Sequence, residues 1–242
     1  EKADSGGAQQ AIKYLEQASQ LEPDTPDAWL SLARAYRLAG DLNLAASAAE
    51  HAAILSPENS TPFVLQAEIH LQAGKLQKAL NFAETAIRLK PDSHKAAIVL
   101  SHILQALERP ADALAVIDKA IPISDQTIPL TLERILLISQ SQGPEIALQV
   151  AIQLAEANPD EPAVLAILAE TQANAGQDEI AIRTAQKELL LEDGLSMNQQ
   201  ANLRLILGKL FRRSGQLDQA IHYLNEAMRL APEKIDAILE LG

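Results

Sequence analysis

Residues 26–59 read PDAWLSLARAYRLAGDLNLAASAAEHAAILSPEN, and their punctuation divides them into two helices. Thr25 stands where a helix cap belongs, Pro26 suits a first turn, and Trp29, Leu32, Ala33 and Tyr36 share one face at helical spacing. Gly40-Asp41 ends that helix, because glycine tolerates the left-handed conformation beyond a helix end. Ala45, Ala49, Ala52 and Ile54 form the stripe of a second helix. It stops at Ser56-Pro57, since proline disfavours helix at the residue before it. Two helices with a short turn make an antiparallel hairpin.

The hairpin recurs along the chain. Ala11, Ala45, Ala79, Ala113, Ala147 and Ala181 lie 34 residues apart, and Ala220 continues the series after a slip of five. Pro23, Pro57 and Pro91 keep the same period, with Pro159 two periods further on. A fixed interval of this length belongs to stacked helical hairpins, each burying its apolar face only against its neighbours.

Trp29, Leu32, Ala33 and Tyr36, followed by Gly40, Ala45, Ala52 and Pro57, resemble the tetratricopeptide repeat, a family whose 34-residue unit pairs large with small residues so that two helices interlock. The next unit carries the pattern on Phe63, Ala67, Gly74, Ala79, Ala86 and Pro91. A weaker third has Ala97, Leu100, Ser101, Ala113 and Ala120, with Glu108-Arg109-Pro110 at the turn in place of glycine. The fourth keeps Ala147, Ala151 and Pro159, but its turn at Gly143-Pro144 is one residue short, which leaves the register of its first helix open by one. The fifth has Leu165, Leu168, Ala169, Gly176, Ala181 and Ala185, and the sixth Leu207, Gly208, Phe211, Gly215, Ala220, Ala227 and Pro232.

The resemblance implies an all-α, right-handed superhelical solenoid of antiparallel hairpins. Its expected divisions are a flexible lead-in over 1–9, the second helix of a truncated repeat over 10–25, and repeats over 26–59, 60–93, 94–127, 128–161, 162–195 and 196–234. A further truncated repeat starts at 235–242, where Leu241-Gly242 matches Leu32-Ala33. Five residues around Leu191–Leu195 are inserted before the sixth repeat, and Ser196-Met197-Asn198-Gln199 then reads as a capping box. The insertion is expected to lengthen that repeat's first helix by about a turn.

Composition narrows the function classes. Hydrophobic residues make up 48% of the chain and aromatics 3%, so Ala and Leu supply most of the apolar surface, which favours helices over strands. Cysteine is absent, removing disulfides and thiolate chemistry. A net charge of −12 opposes a general nucleic-acid or anionic-membrane surface. No apolar run reaches the roughly 20 residues of a membrane span. A soluble chain is expected, with the cytoplasm ranked before periplasm or exterior, although the opening Glu1-Lys2-Ala3-Asp4 lacks a methionine and a leader is therefore not readable.

The usual signatures of catalysis and metal binding are absent. His94 and His102 share a helix but stand about 12 Å apart along its axis, too far for one metal. His51 and His222 belong to distant units, and His70 occupies a packing register like that of Tyr36. The sequence contains no HExxH, phosphate-cradling glycine loop or Gly-x-Ser-x-Gly elbow. No catalytic residue, cofactor or metal is expected. Trp29, Tyr36, Phe63 and Phe211 read as packing residues opposite the small alanines.

Each first helix has a second stripe, which in arrays of this family lines a concave groove for peptides or extended protein segments. Its residues are Leu30, Arg34 and Arg37, then Val64, Glu68 and Leu71, then Ile98, His102 and Gln105. Leu132, Leu136 and Ser139 follow, then Ala166, Glu170 and Ala173, and finally Leu205, Lys209 and Arg212. Arg34 and Arg37 mark one end, while Arg204, Lys209, Arg212 and Arg213 mark the other. An apolar or amphipathic partner with acidic groups for those ends is expected. The lysine–asparagine clamp with which some family members hold chaperone tails is not present. Protein–protein scaffolding is therefore the leading expectation. The alternatives are the targeting arm of an enzyme, such as a glycosyltransferase, with its catalytic domain beyond Gly242, and self-association through open terminal half-repeats.

Overall fold

The computed structural model describes residues 4–190 and 195–232, with side chains from residue 9 onward. Among these residues it contains thirteen α-helices and one short 3-10 segment, packed as sequential hairpins. They fall into two compact units, Glu1–Leu130 and Thr131–Gly242.

In the first unit, α1 (Asp4–Leu21) packs on α2 (Pro26–Ala39), which pairs with α3 (Leu42–Leu55). The hairpin of α4 (Ser60–Gln72) with α5 (Leu76–Leu89) comes next, then α6 (His94–Ala106) with α7 (Pro110–Ala120), before the 3-10 segment Ile121–Ile123. In addition, α2 touches α4 and α4 touches α6, so the first helices of successive hairpins lie side by side. Following the unit boundary inside α8 (Thr127–Ser141) come α9 (Pro144–Ala157), α10 (Pro162–Asn174), α11 (Asp178–Leu189), α12 (Met197–Arg213) and α13 (Leu217–Leu230). Here α10 pairs with α11, α12 pairs with α13, and α10 also touches α12.

The small residues of the period are the hinges of this packing. Ala45, Ala79, Ala113, Ala147 and Ala181 are sealed from solvent. Opposite them, Leu32, Tyr36, Leu65 and Ile69 fill the first core, and Leu203, Leu207 and Phe211 fill the corresponding core of the second unit. Gly208 extends the same logic. A Cβ placed there would come within 2.6 Å of the Leu224 side chain, so only glycine admits this approach of α12 to α13.

The turns inside the hairpins repeat as well. Amides of Asp41, Lys75, Arg109, Gln177 and Gln216 donate to the carbonyls of Tyr36, His70, Leu104, Gln172 and Phe211, closing α2, α4, α6, α10 and α12 in the same manner. The preceding residue is left-handed each time: Gly40, Gly74, Gly176 and Gly215, but in the third repeat Glu108, at φ 59°. Glu108 thus takes glycine's conformation without glycine's freedom, at a cost of about 1–2 kcal/mol.

Side chains at one recurrent seat also bridge the two helices of a hairpin. His70 stacks on Phe82 at 5.3 Å and Phe211 on Tyr223 at 5.5 Å. At the equivalent seat the Thr184 hydroxyl donates to Gln172 Oε1 at 2.9 Å. The Tyr36 hydroxyl instead donates to the Glu16 carboxylate of α1, and burial together with that bond pushes its pKa up to about 12.

Several local expectations change. Within the expected lead-in, α1 begins at Asp4. Two glycines cost about 1 kcal/mol each in a helix, but Ala8-Gln9-Gln10 favour it and Ile12 and Leu15 anchor it on the first core. Thr25 occupies the cap position of α2, but its side chain bonds none of the helix's amides; its hydroxyl donates to the Glu22 carboxylate at 3.4 Å instead. Trp29 is only partly buried, stacking on His51 at 4.5 Å and donating from Nε1 to the Pro23 carbonyl at 2.8 Å. The capping box at Ser196 and Gln199 is formed, and α12 runs for 17 residues where α10 has 13. Leu191–Gly194, residues 1–3 of the lead-in, and the truncated repeat at 235–242 lie outside the described residues.

One buried carboxyl group has no compensation among the described residues. Glu188, in the last turn of α11, is 2% exposed, and neither carboxylate oxygen has a hydrogen-bond partner among the described residues. Burial alone pushes its pKa up to about 7.

Candidate functional site

The second stripe of the first helices meets at a hollow within each unit. In the first unit the hollow, about 400 Å³, lies between α2, α4 and α6. Arg37 comes from α2, Glu68, Leu71 and Gln72 from α4, and Lys95, Ile98, Val99 and His102 from α6. Of the residues the sequence nominates, Arg37, Glu68, Leu71, Ile98 and His102 converge here.

Leu30 and Val64 do not line it. Leu30 is 2% exposed and belongs to the core cluster that includes Leu65 and Ile69 of the next hairpin; Val64 is likewise buried. A helix in a stack is covered on two sides, and these residues face a neighbour. Arg34 is exposed but lies away from the hollow. Arg37 is no open basic end either, since its guanidinium pairs with Glu68 at 3.4 Å.

In the second unit the hollow is larger, about 560 Å³, and lies between α8, α10 and α12. Leu132 and Leu136 enter from α8, Ala166, Ile167, Glu170 and Ala173 from α10, and Leu205, Ile206 and Lys209 from α12. Three consecutive triplets of the stripe therefore reach one concavity, except Ser139 and Arg212, which do not line it. Leu136, 39% exposed, presents its side chain to solvent. The alanines keep the α10 side low, leaving room above an aliphatic floor.

Sequence reading missed residues one turn earlier on the same stripe. Lys95, Ala163 and Asn202 hold equivalent places ahead of Ile98, Ala166 and Leu205, and all three line their hollows. The i−3 spacing was the available signal. Gln199, another wall residue, comes from the additional turn of α12.

Electrostatics also depart from the simple pattern of basic ends. Arg213 borders the second hollow, but its guanidinium pairs with Asp178 of α11 and donates to the Ala173 carbonyl at 2.8 Å. Arg204 turns toward α13, where it meets Glu226 at 3.1 Å. Lys209 is thus what remains of the basic cluster inside the hollow. Facing the same space, Glu170 has its pKa raised: its carboxylate reaches solvent, yet the surrounding carbon walls strip part of its hydration, an effect that Lys209 partly opposes. In the first repeats, burial lowers the pKa of His70, with Lys75 and Lys78 adding to the effect.

Among the described residues, no helix is long and apolar enough to cross a membrane, and no three His, Asp or Glu side chains cluster as a metal site.

Family models described as tetratricopeptide repeat match residues 1–60, 70–130 and 201–234. No curated protein sequence matches at a significant level. Among solved structures, a tetratricopeptide repeat protein from Parabacteroides merdae is similar with a TM-score of 0.75 and 19% identity, covering 98% of this chain and 92% of that one. PilW, a type IV pilus biogenesis factor, gives 0.66 and 23%, over 90% and 98% of the two chains. A chain of the APC/C hetero-tetramer Cut9–Hcn1 gives 0.69 and 17%, over 98% of this chain and 46% of that one. At these identities the likeness establishes the fold.

Proposed function

We propose that this chain, which belongs to the tetratricopeptide repeat family, is a non-catalytic scaffold whose first-helix faces hold a peptide or an extended segment of a partner protein. The observation carrying this reading is the convergence of Leu132 and Leu136, Ala166 and Glu170, and Leu205 and Lys209 on one hollow from three successive first helices. A concave, largely aliphatic floor with a few polar groups is the usual form of a site that binds rather than reacts. Neighbouring hairpins hold the walls in place, so little conformational freedom is lost when a partner arrives. The occurrence of a chain of similar fold in a hetero-tetramer supports the same reading.

The test places a photo-crosslinking residue at Leu136 and, as a control, at the exposed Leu217 on α13. Cross-linked proteins are identified by mass spectrometry, and the purified partner is titrated against the chain and its Leu136→Asp variant. The reading expects a discrete partner from Leu136, not from Leu217, and an affinity loss of about tenfold or more on placing a charge in the apolar floor. Equal cross-linking from both positions, or unchanged affinity, would refute it.

A further inference from the structure

We infer that the hollow of the second unit recognises an amphipathic segment in a fixed direction, aliphatic side chains on the floor, a basic residue over α10 at Glu170 and an acidic residue over α12 at Lys209. This rests on the preceding reading and specifies the partner's chemistry at the same site. Three observations carry it.

The first is that these two charges are available. Arg213, at the same hollow, is committed to Asp178 and the Ala173 carbonyl, and Arg204 to Glu226. Glu170 and Lys209 influence one another electrostatically, but no hydrogen bond or salt bridge ties either of them down among the described residues. The second is placement. Glu170 belongs to α10 and Lys209 to α12, so a segment crossing from one helix to the next meets negative charge and then positive. A partner laid down in reverse would set like charges together, which costs more than the matched pairs gain.

The third observation is the state of Glu170. The aliphatic walls that make the floor adhesive also deprive this carboxylate of water. An arriving ammonium or guanidinium would replace hydration already partly lost, so pairing here carries a smaller desolvation penalty than at an open surface. The aliphatic contacts supply the affinity and the two charges supply its polarity.

The experiment is a selection of random twelve-residue peptides displayed on phage against the 242-residue chain and three variants checked for folding by circular dichroism: Glu170→Lys, Lys209→Glu and the double reversal. Peptides enriched on the wild-type chain should share aliphatic residues flanked by a basic and an acidic one. One enriched peptide, made synthetically and followed by fluorescence anisotropy, should lose about tenfold in affinity to each single reversal. Exchanging its two charged residues should restore binding to the double reversal and weaken binding to the wild-type chain.

An enriched set without that charge pattern, or one indifferent to all three variants, overturns the inference. If such peptides still fail to bind Leu136→Asp, the groove reading survives alone. If nothing is enriched over a phage-only control, both fall.

Discussion

Replacing Glu188 by glutamine should stabilise the protein at alkaline pH and do little in acid. An ordinary glutamate titrates at 4.5, whereas burial at the end of α11 moves Glu188 to about 7. Between these values the native chain keeps a proton that the unfolded chain has released. The unfolded state therefore binds fewer protons, and stability contributed by this residue falls as pH rises from 4.5 through 7, then levels off. At about 1.4 kcal/mol per pH unit the full loss is roughly 3 kcal/mol. Glutamine fills nearly the same space and never ionises. Glu188→Gln should accordingly gain about 3 kcal/mol over wild type near pH 8 and under about 1 kcal/mol near pH 5. Urea denaturation of both proteins at a series of pH values, followed by far-UV circular dichroism, reads the difference. Its slope with pH is decisive, because any fixed cost of burying an amide cancels from the slope. A difference that stays flat across the series would mean that Glu188 is hydrated or paired in the native state, and the reasoning would fail.

Three further substitutions test the packing. Glu108→Gly should stabilise by about 0.5–1 kcal/mol, less than the full left-handed cost because glycine also loses entropy on folding; denaturant midpoints will show whether the sign is right. Gly208→Ala drives a methyl into buried Leu224 and should destabilise by about 1–3 kcal/mol, so an unchanged thermal melt would show that α12 and α13 separate more easily than their geometry indicates. Ala79→Leu overfills a sealed seat between α4 and α5, and a loss of about 1–3 kcal/mol in a urea titration is expected.

The hairpin architecture was legible because one chemical requirement recurs at each period. Ala45, Ala79, Ala113, Ala147 and Ala181 have to be small, and glycine at 40, 74, 176 and 215 has to be left-handed. Such requirements act through neighbours close in sequence. The candidate site was only partly legible. Leu132, Leu136, Ala166 and Leu205 were found by spacing alone; Leu30 matches Leu205 in register and both pack into cores, Leu30 with Leu65 and Ile69 and Leu205 with Leu224 and Ala227, but only Leu205 also lines a hollow. Periodicity identifies the side of a helix; it does not say how far the next helix reaches over it. The basic end dissolved for a similar reason. Arg213 finds Asp178 35 residues away, and Arg204 finds Glu226 22 residues away, pairings that no local spacing rule anticipates.

The sealed alanine seats also bear on how such a chain changes its length. Since Ala45 and Ala79 meet their partners in equivalent ways, excising residues 60–93 would set α3 beside α6 much as it now sits beside α4. Whole hairpins can be lost or copied with one joint rewritten each time, while an insertion of any other size must be absorbed where it falls, as before α12. The length of the stack is thus a quantity that can be adjusted in discrete steps, largely independent of the chemistry displayed on each face.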